Sequence, residues 1–192
     1  MLTRYRRTIN AYFDRMAISI KFLPPNAVTS ISLLTALLAG ALYYLGFVQF
    51  GGVTLLVSGA LDVMDGAVAR VTGRVSRFGG FLDSTFDRIS DFAVLGGIAL
   101  SGIVDWRLVM FTVFGSFLVP YCRARGEAAG STGMAVGIAE RVERQVILTL
   151  ASLIHPLVSE ASVLEAAVVF IGILAWVTVA QRILAARRTL RD

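Results

Sequence analysis

The chain has 192 residues, 56% of them apolar and only 16% charged, with a formal net charge of +5. A mean hydropathy of +0.75 is too high for an ordinary soluble domain and points to one membrane-embedded domain, 1–192, with no nucleic-acid partner. One cysteine, Cys122, and one histidine, His155, exclude an internal disulfide and argue against a zinc site built on Cys and His.

In chain order, residues 2–20 place Leu2, Tyr5, Ile9, Tyr12, Phe13 and Met16 at helical spacing among Arg4, Arg7 and Arg15. This pattern suits an amphipathic helix lying in the membrane interface over 1–21, and a basic tail that merely orients the protein is the alternative. No signal-type apolar core follows, so the segment reads as part of the mature chain. The bundle proper is expected over 26–186. Residues 27–48 carry no charge and form a first span, with Pro25 and Asn26 where a helix start is expected. Residues 51–71 form a second span if Asp62, Asp65 and Arg70 are tolerated, and 80–103 a third that opens with Asp83, Asp87, Arg88 and Asp91. A fourth covers 107–122 and continues as a polar helix to about 130. The small residues of 128–137 form a loop. A weak fifth span follows at 145–158 and a strong sixth at 162–181.

The expected fold is therefore all-α, a polytopic six-helix bundle preceded by the interfacial helix. Charge placement supports it. An even number of spans puts both termini on one side together with Arg70, Arg74, Arg77, Arg123, Arg125, Arg141, Arg144 and Arg182, whereas the other side holds only Arg107. The positive-inside rule makes the crowded side cytoplasmic, in a multi-pass protein of the cell membrane. Gly40, Gly96, Gly97 and Gly172 favour close helix contacts.

Four carboxylates interrupt the apolar pattern. Asp62 and Asp65 share a helix face with Gly66 and Ala69, and Asp83 and Asp87 share a face of the next helix. The short link between these helices makes them antiparallel neighbours, so the carboxylates converge near their cytoplasmic ends. Carboxylates in hydrocarbon are costly and mark functional sites, and four together repel unless cations neutralise them. An all-oxygen donor set selects Mg²⁺, Mn²⁺ or Ca²⁺, ions that work with substrate phosphates. Arg70 suits a phosphate, and one carboxylate is available to take a proton from an attacking hydroxyl.

The run Asp62-x-x-Asp65-Gly66-x-x-Ala69-Arg70, a spacer over 71–78, then Gly79-x-x-x-Asp83-x-x-x-Asp87 resembles the signature of the CDP-alcohol phosphotransferase family. The resemblance implies a six-span homodimer with two Mg²⁺ (or Mn²⁺) ions per site. Asp62, Asp65 and Asp83 would ligate metal, and Asp87 would be both ligand and general base. Gly66, Arg70 and Ser76, with Asn26, Ala27, Val28 and Thr29 at the start of span one, would bind the CDP-lipid, either CDP-diacylglycerol or CDP-archaeol. An acceptor hydroxyl attacks the lipid-linked phosphorus and CMP leaves.

Arginines ending span four, beginning span five and ending span six suit an acceptor that itself carries phosphate. The segments SRFGGFLDSTFDRISD, YCRARGEAAG and IAERVERQVI resemble the members that use inositol 1-phosphate, in diacyl and archaeal ether-lipid versions. This implies that Arg123, Arg141 and Arg182 hold the acceptor phosphate. Arg144 reads as a topology or headgroup residue, and Asp91 as the partner of a nearby arginine or a contact to metal. Glycerol 3-phosphate is the alternative acceptor. A membrane ion carrier with an intramembrane acidic site is the alternative of a different class. A membrane prenyltransferase needs more spans than this chain supplies.

Overall fold

The computed structural model describes residues 12–138, 140–157 and 162–190. Its described residues form helices and no strand. A short helix, α1, covers 12–19 and ends in a turn at 20–22, and residues 1–11 of the expected interfacial helix lie outside the described residues. Then follow α2 (Pro25–Tyr44), α3 (Val48–Val71), α4 (Arg77–Ser101), α5 (Trp106–Ala128), α6 (Arg141–Ile154), a single 3₁₀ turn (His155–Leu157) and α7 (Ser162–Thr189). Among the described residues, three helices, Pro25–Tyr44, Val48–Val71 and Val163–Thr189, are long and apolar enough to cross a membrane. The chain is thus an all-helical, membrane-integral protein.

Local chemistry fixes the boundaries. Pro25 occupies the first turn of α2, where its missing N–H costs nothing. The first span is expected to run to 48, but the helix stops at Tyr44 because Gly46 takes φ 81°, a conformation open mainly to glycine. Hydropathy does not register such a turn. Ser76 caps α4 by accepting a hydrogen bond from the Gly79 amide at 2.9 Å. The turn before α4 is made by Gly73 at φ 67°, whereas Gly79 sits inside the helix. The fifth expected span shifts to Arg141–Ile154, because Pro156 disfavours helix at the residue before it. At 1.5 Å per residue α6 is about 21 Å long, short of a full hydrocarbon crossing. The last helix outruns its expected end at 181 and reaches Thr189.

Helix α2 packs on both α3 and α4, whereas α3 and α4, expected as direct neighbours, approach each other only around the carboxylates. Helix α7 packs on α5 and α6, and the α3–α6 and α4–α5 contacts join the two groups. The core runs through Tyr43, Leu55, Val94, Ile98, Val109, Leu148, Leu164 and Val168. At the α2–α4 crossing, Gly40 lies against the Ala93 carbonyl and Gly97 against the Gly40 carbonyl, so a β-carbon at either would collide with backbone. Gly172 packs instead on the side chains of Thr112 and Phe111, whereas Gly96 faces open space. Hydrogen bonds pin helices together where water is absent. Ser32 and Ser58 each donate to the other's carbonyl at 3.0 Å, the Tyr43 hydroxyl lies 2.7 Å from Ser152 Oγ, and Thr112 donates to the Val168 carbonyl at 2.8 Å. Leu34, Phe50, Phe114 and Phe170 are exposed, as suits side chains that meet lipid. At the polar end, α1 buries Ala17, with Phe13 beside it, against Val28, Met64, Ala67 and Val68.

Candidate active site

The link 72–76 joins α3 to α4, and the end of the first helix and the start of the second meet around the carboxylates. Asp62 and Asp65 are one turn apart on α3, and Asp83, Asp87 and Asp91 recur every four residues along one face of α4. Oxygens of Asp62, Asp83 and Asp87 come within 4.8 Å of one another. Asp65 is only 7% exposed, and its Oδ2 is buried with no hydrogen-bond partner. A buried carboxylate oxygen left unpaired beside three converging carboxylates fits a hard divalent cation.

Asp65 and Asp83 also line a cavity of about 230 Å³, walled by Asn26, Thr29, Gly66, Ala69, Arg70, Ser76 and Gly79. Three helix ends meet here. Asn26 and Thr29 come from the first turn of α2, Gly66 to Arg70 from the end of α3, and Ser76 to Asp83 from the start of α4. A β-carbon at Gly79 would press on Ser76 Oγ at 3.0 Å and on Asn26 Oδ1 at 3.4 Å, so the glycine keeps this wall of the cavity thin. Arg70 stands at the rim. Its Nε and Nη2 donate to Asp14 of α1 at 3.2 and 2.8 Å, and the pair is substantially exposed.

Arg141, in the first turn of α6, reaches into the acidic face. Its Nη1 lies 2.7 Å from Asp62 Oδ2 and 2.6 Å from Asp87 Oδ1, and its Nε lies 3.2 Å from Asp91 Oδ1. The other Asp91 oxygen takes Arg144 Nη2 at 3.0 Å. Arg88 Nη1 holds Asp87 Oδ2 at 3.0 Å and the Ser84 carbonyl at 2.8 Å.

The family model described as CDP-alcohol phosphatidyltransferase matches residues 22–184. The chain belongs to the CDP-alcohol phosphatidyltransferase family. It is therefore an enzyme, a CDP-alcohol phosphotransferase. An archaetidylinositol phosphate synthase from Pyrococcus horikoshii is 42% identical over 192 residues, which cover 99% of this chain and 98% of that protein. The crystal structure of Mycobacterium tuberculosis phosphatidylinositol phosphate synthase with CDP-DAG bound superposes with a TM-score of 0.81 at 26% identity, over 95% of this chain and 96% of that one. The same mycobacterial enzyme in complex with manganese and citrate gives a TM-score of 0.81 at 27% identity, over 94% and 90%.

The CDP-alcohol phosphatidyltransferase signature thus lies on two adjoining surfaces. Asp62, Asp83 and Asp87 face one another, and Asp65 faces the cavity with Asn26, Thr29, Gly66, Arg70 and Ser76. Ala27 and Val28 do not line that cavity. They sit off the face that Asn26 and Thr29 share, and Val28 is spent in the packing under α1. The three arginines expected at the acceptor phosphate have different partners, although Arg182 lies close enough to Arg123 and Arg144 to feel their charge. Arg141 is in the acidic cluster. Arg123, exposed on α5, pairs with Glu127 one turn on, at 2.9 Å. Arg182 is only 3% exposed; it donates to the Val136 carbonyl at 3.0 Å and to the Val119 carbonyl, which ties the 131–138 loop and α5 to α7. Arg144, expected as a topology residue, is buried on Asp91. Asp14 carries no signal in the sequence, because nothing local ties it to a residue 56 positions away. Asp91 is legible as the next member of the 83–87 face, and it pairs with two arginines.

Proposed function

We propose that the protein transfers the phosphatidyl or archaetidyl group of a CDP-lipid to inositol 1-phosphate and releases CMP. The observation that carries this reading is the convergence of Asp62, Asp83 and Asp87 oxygens within 4.8 Å, next to the cavity that Asp65 and Asp83 share with the other signature residues. In this reading Asp62, Asp65, Asp83 and Asp87 hold two Mg²⁺ or Mn²⁺ ions. When bound, such ions neutralise the phosphates and stabilise the charge that builds on the departing CMP. The cavity takes the CDP group, with Arg70 on a phosphate and the hydroxyls and amides of Asn26, Thr29 and Ser76 around the polar parts. Gly66 and Gly79 let the substrate approach backbone. The 42% identity to an archaetidylinositol phosphate synthase and the likeness to a synthase that binds CDP-DAG favour inositol phosphate over glycerol 3-phosphate.

Asp87 is the general base. It accepts the proton of the attacking inositol hydroxyl as that oxygen bonds to the lipid-linked phosphorus. The phosphorus–oxygen bond to CMP breaks and its electron pair leaves with CMP. Arg141 takes the acceptor phosphate, and Arg123 and Arg182 add positive charge on the same side. The domain is read as a single membrane bundle of the six helices α2 to α7, with α6 too short to cross unaided, in the cell membrane with the site facing the cytoplasm, as the arginine distribution favours. A homodimer is part of this reading, as the family resemblance implies.

Purified protein, supplied with Mg²⁺ or Mn²⁺, a CDP-lipid and a panel of labelled acceptors, tests the reading. Inositol 1-phosphate should be consumed with stoichiometric CMP release. Product from glycerol 3-phosphate and none from inositol 1-phosphate would refute the acceptor.

A further inference from the structure

Arg141 and a divalent ion would draw on the same carboxylates. Nη1 rests on Asp62 Oδ2 at 2.7 Å and Asp87 Oδ1 at 2.6 Å, and these two residues, with Asp83, make the set whose oxygens could hold an ion. An ion chelated by that set sits about 2.0–2.1 Å from its oxygens if it is Mg²⁺. A guanidinium nitrogen bridging carboxylates of two of these residues competes for that position, and the two cations repel at such range. Arg141 has a further anchor that does not belong to the set: Nε lies 3.2 Å from Asp91 Oδ1. Its Nη2 is buried and makes no hydrogen bond, so one donor of the fork is uncommitted.

We infer that Arg141 is an exchangeable counter-ion of the metal site, and that Asp91 is the positioning residue on which it pivots. Divalent ions displace Nη1 from Asp62 and Asp87. The contact to Asp91 keeps Nε in place, and the freed Nη1 and Nη2 present a two-pronged donor to the acceptor phosphate. Asp91 is itself fixed from behind, since its Oδ2 holds Arg144 Nη2 at 3.0 Å. The acceptor site is then completed only where metal is bound, which couples acceptor affinity to metal affinity. This inference rests on the proposed function only in naming the acceptor as a phosphate ester.

Mn²⁺ binding, read by electron paramagnetic resonance on detergent-purified protein without CDP-lipid, tests it with no turnover involved. Arg141→Lys keeps the positive charge but cannot bridge Asp62 and Asp87 while holding Asp91. It should bind Mn²⁺ several-fold more tightly than wild type, and Arg141→Gln about tenfold more tightly. Inositol 1-phosphate should tighten Mn²⁺ binding several-fold in the wild type, because coupling is reciprocal, and should do nothing in Arg141→Gln. Asp91→Asn, with its pivot lost, should weaken Mn²⁺ binding and raise the KM for inositol 1-phosphate more than tenfold, with the KM for CDP-lipid within about twofold of wild type. Unchanged or weaker Mn²⁺ binding in both Arg141 variants overturns the exchange, whatever the Asp91 variant does. No Mn²⁺ binding by the wild type overturns both the exchange and the metal-dependent function, whereas normal binding with no Arg141 effect overturns the exchange alone.

Discussion

The acidic and the basic sides of the site are built by different means. The aspartates sit on two consecutive helices joined by a five-residue link, 72–76, and helical spacing alone turns them inward. The arginines come from α5, α6 and α7, which meet only through long-range packing, and each has a different partner. Arg141 reaches the carboxylates, Arg182 is buried on backbone carbonyls, and Arg123 stays at the surface. Residues that share a short hairpin keep the geometry their spacing implies. Residues that share only a sign of charge have no such guarantee, since topology alone favours arginine at any cytoplasmic helix end.

The largest expected effect falls on the acidic side. Asp87→Asn keeps the shape of the side chain and removes the base. Turnover should fall about 10²–10⁴-fold, while CDP-lipid still binds within a few-fold of wild type, as measured by equilibrium binding of a labelled CDP-lipid. Loss of lipid binding together with turnover would make Asp87 part of the substrate cavity and not of the chemistry. Removal of divalent ions with EDTA should abolish turnover, and Mg²⁺ or Mn²⁺ should restore it.

The same contrast separates what amino-acid order encodes locally from what packing decides. The helix sequence and the carboxylate cluster follow from period and apolar length. The ends of α2 and α6 do not, because Gly46 and Pro156 act through local backbone geometry that an apolar run masks. Asn26 and Thr29 are separated from Ala27 and Val28 only by which face of α2 meets α3. The pairing of Arg70 with Asp14, and the burial of Arg144 and Arg182, depend on contacts across tens of residues that no local pattern encodes. Asp91 lies between these extremes: its place on the α4 face is readable from spacing and its arginine partners are not.

On the basic side, Arg182 should behave as a structural residue first. Arg182→Ala leaves the Val119 and Val136 carbonyls without their charged donor in a buried setting. Hydrogen bonds to charged groups contribute about 1.5–3 kcal/mol, so the variant should melt several degrees lower in detergent. If instead the melting temperature holds and only the KM for inositol 1-phosphate rises, Arg182 belongs to the acceptor site after all.

A smaller effect is expected where the two sides meet α1. Asp14 holds Nε and Nη2 of Arg70 and so aims the arginine at the cavity. The pair is solvent-exposed, and such pairs contribute about 0–1 kcal/mol. Asp14→Asn should therefore raise the KM for CDP-lipid by no more than about fivefold, with kcat nearly unchanged. A rise of a hundredfold would mean that α1 closes the cavity and does more than orient one side chain.

Arg123 sets the lower end of the scale. Its single ion pair joins adjacent turns of one helix, Nε to Glu127 Oε1 at 2.9 Å, and both side chains are about half exposed. Pairs of this kind contribute about 0.3–0.5 kcal/mol. Arg123→Ala should leave the melting temperature unchanged within error, so any kinetic effect it has is free of a folding component. That makes it the cleanest probe of whether positive charge on α5 attracts the acceptor. A rise in the KM for inositol 1-phosphate that shrinks as salt is added would assign Arg123 a long-range electrostatic role, since exposed charges are screened within about 10 Å at 0.1 M salt. A rise that persists at high salt would require direct contact with the phosphate, and would mean that Arg123 turns from Glu127 into the site when acceptor binds.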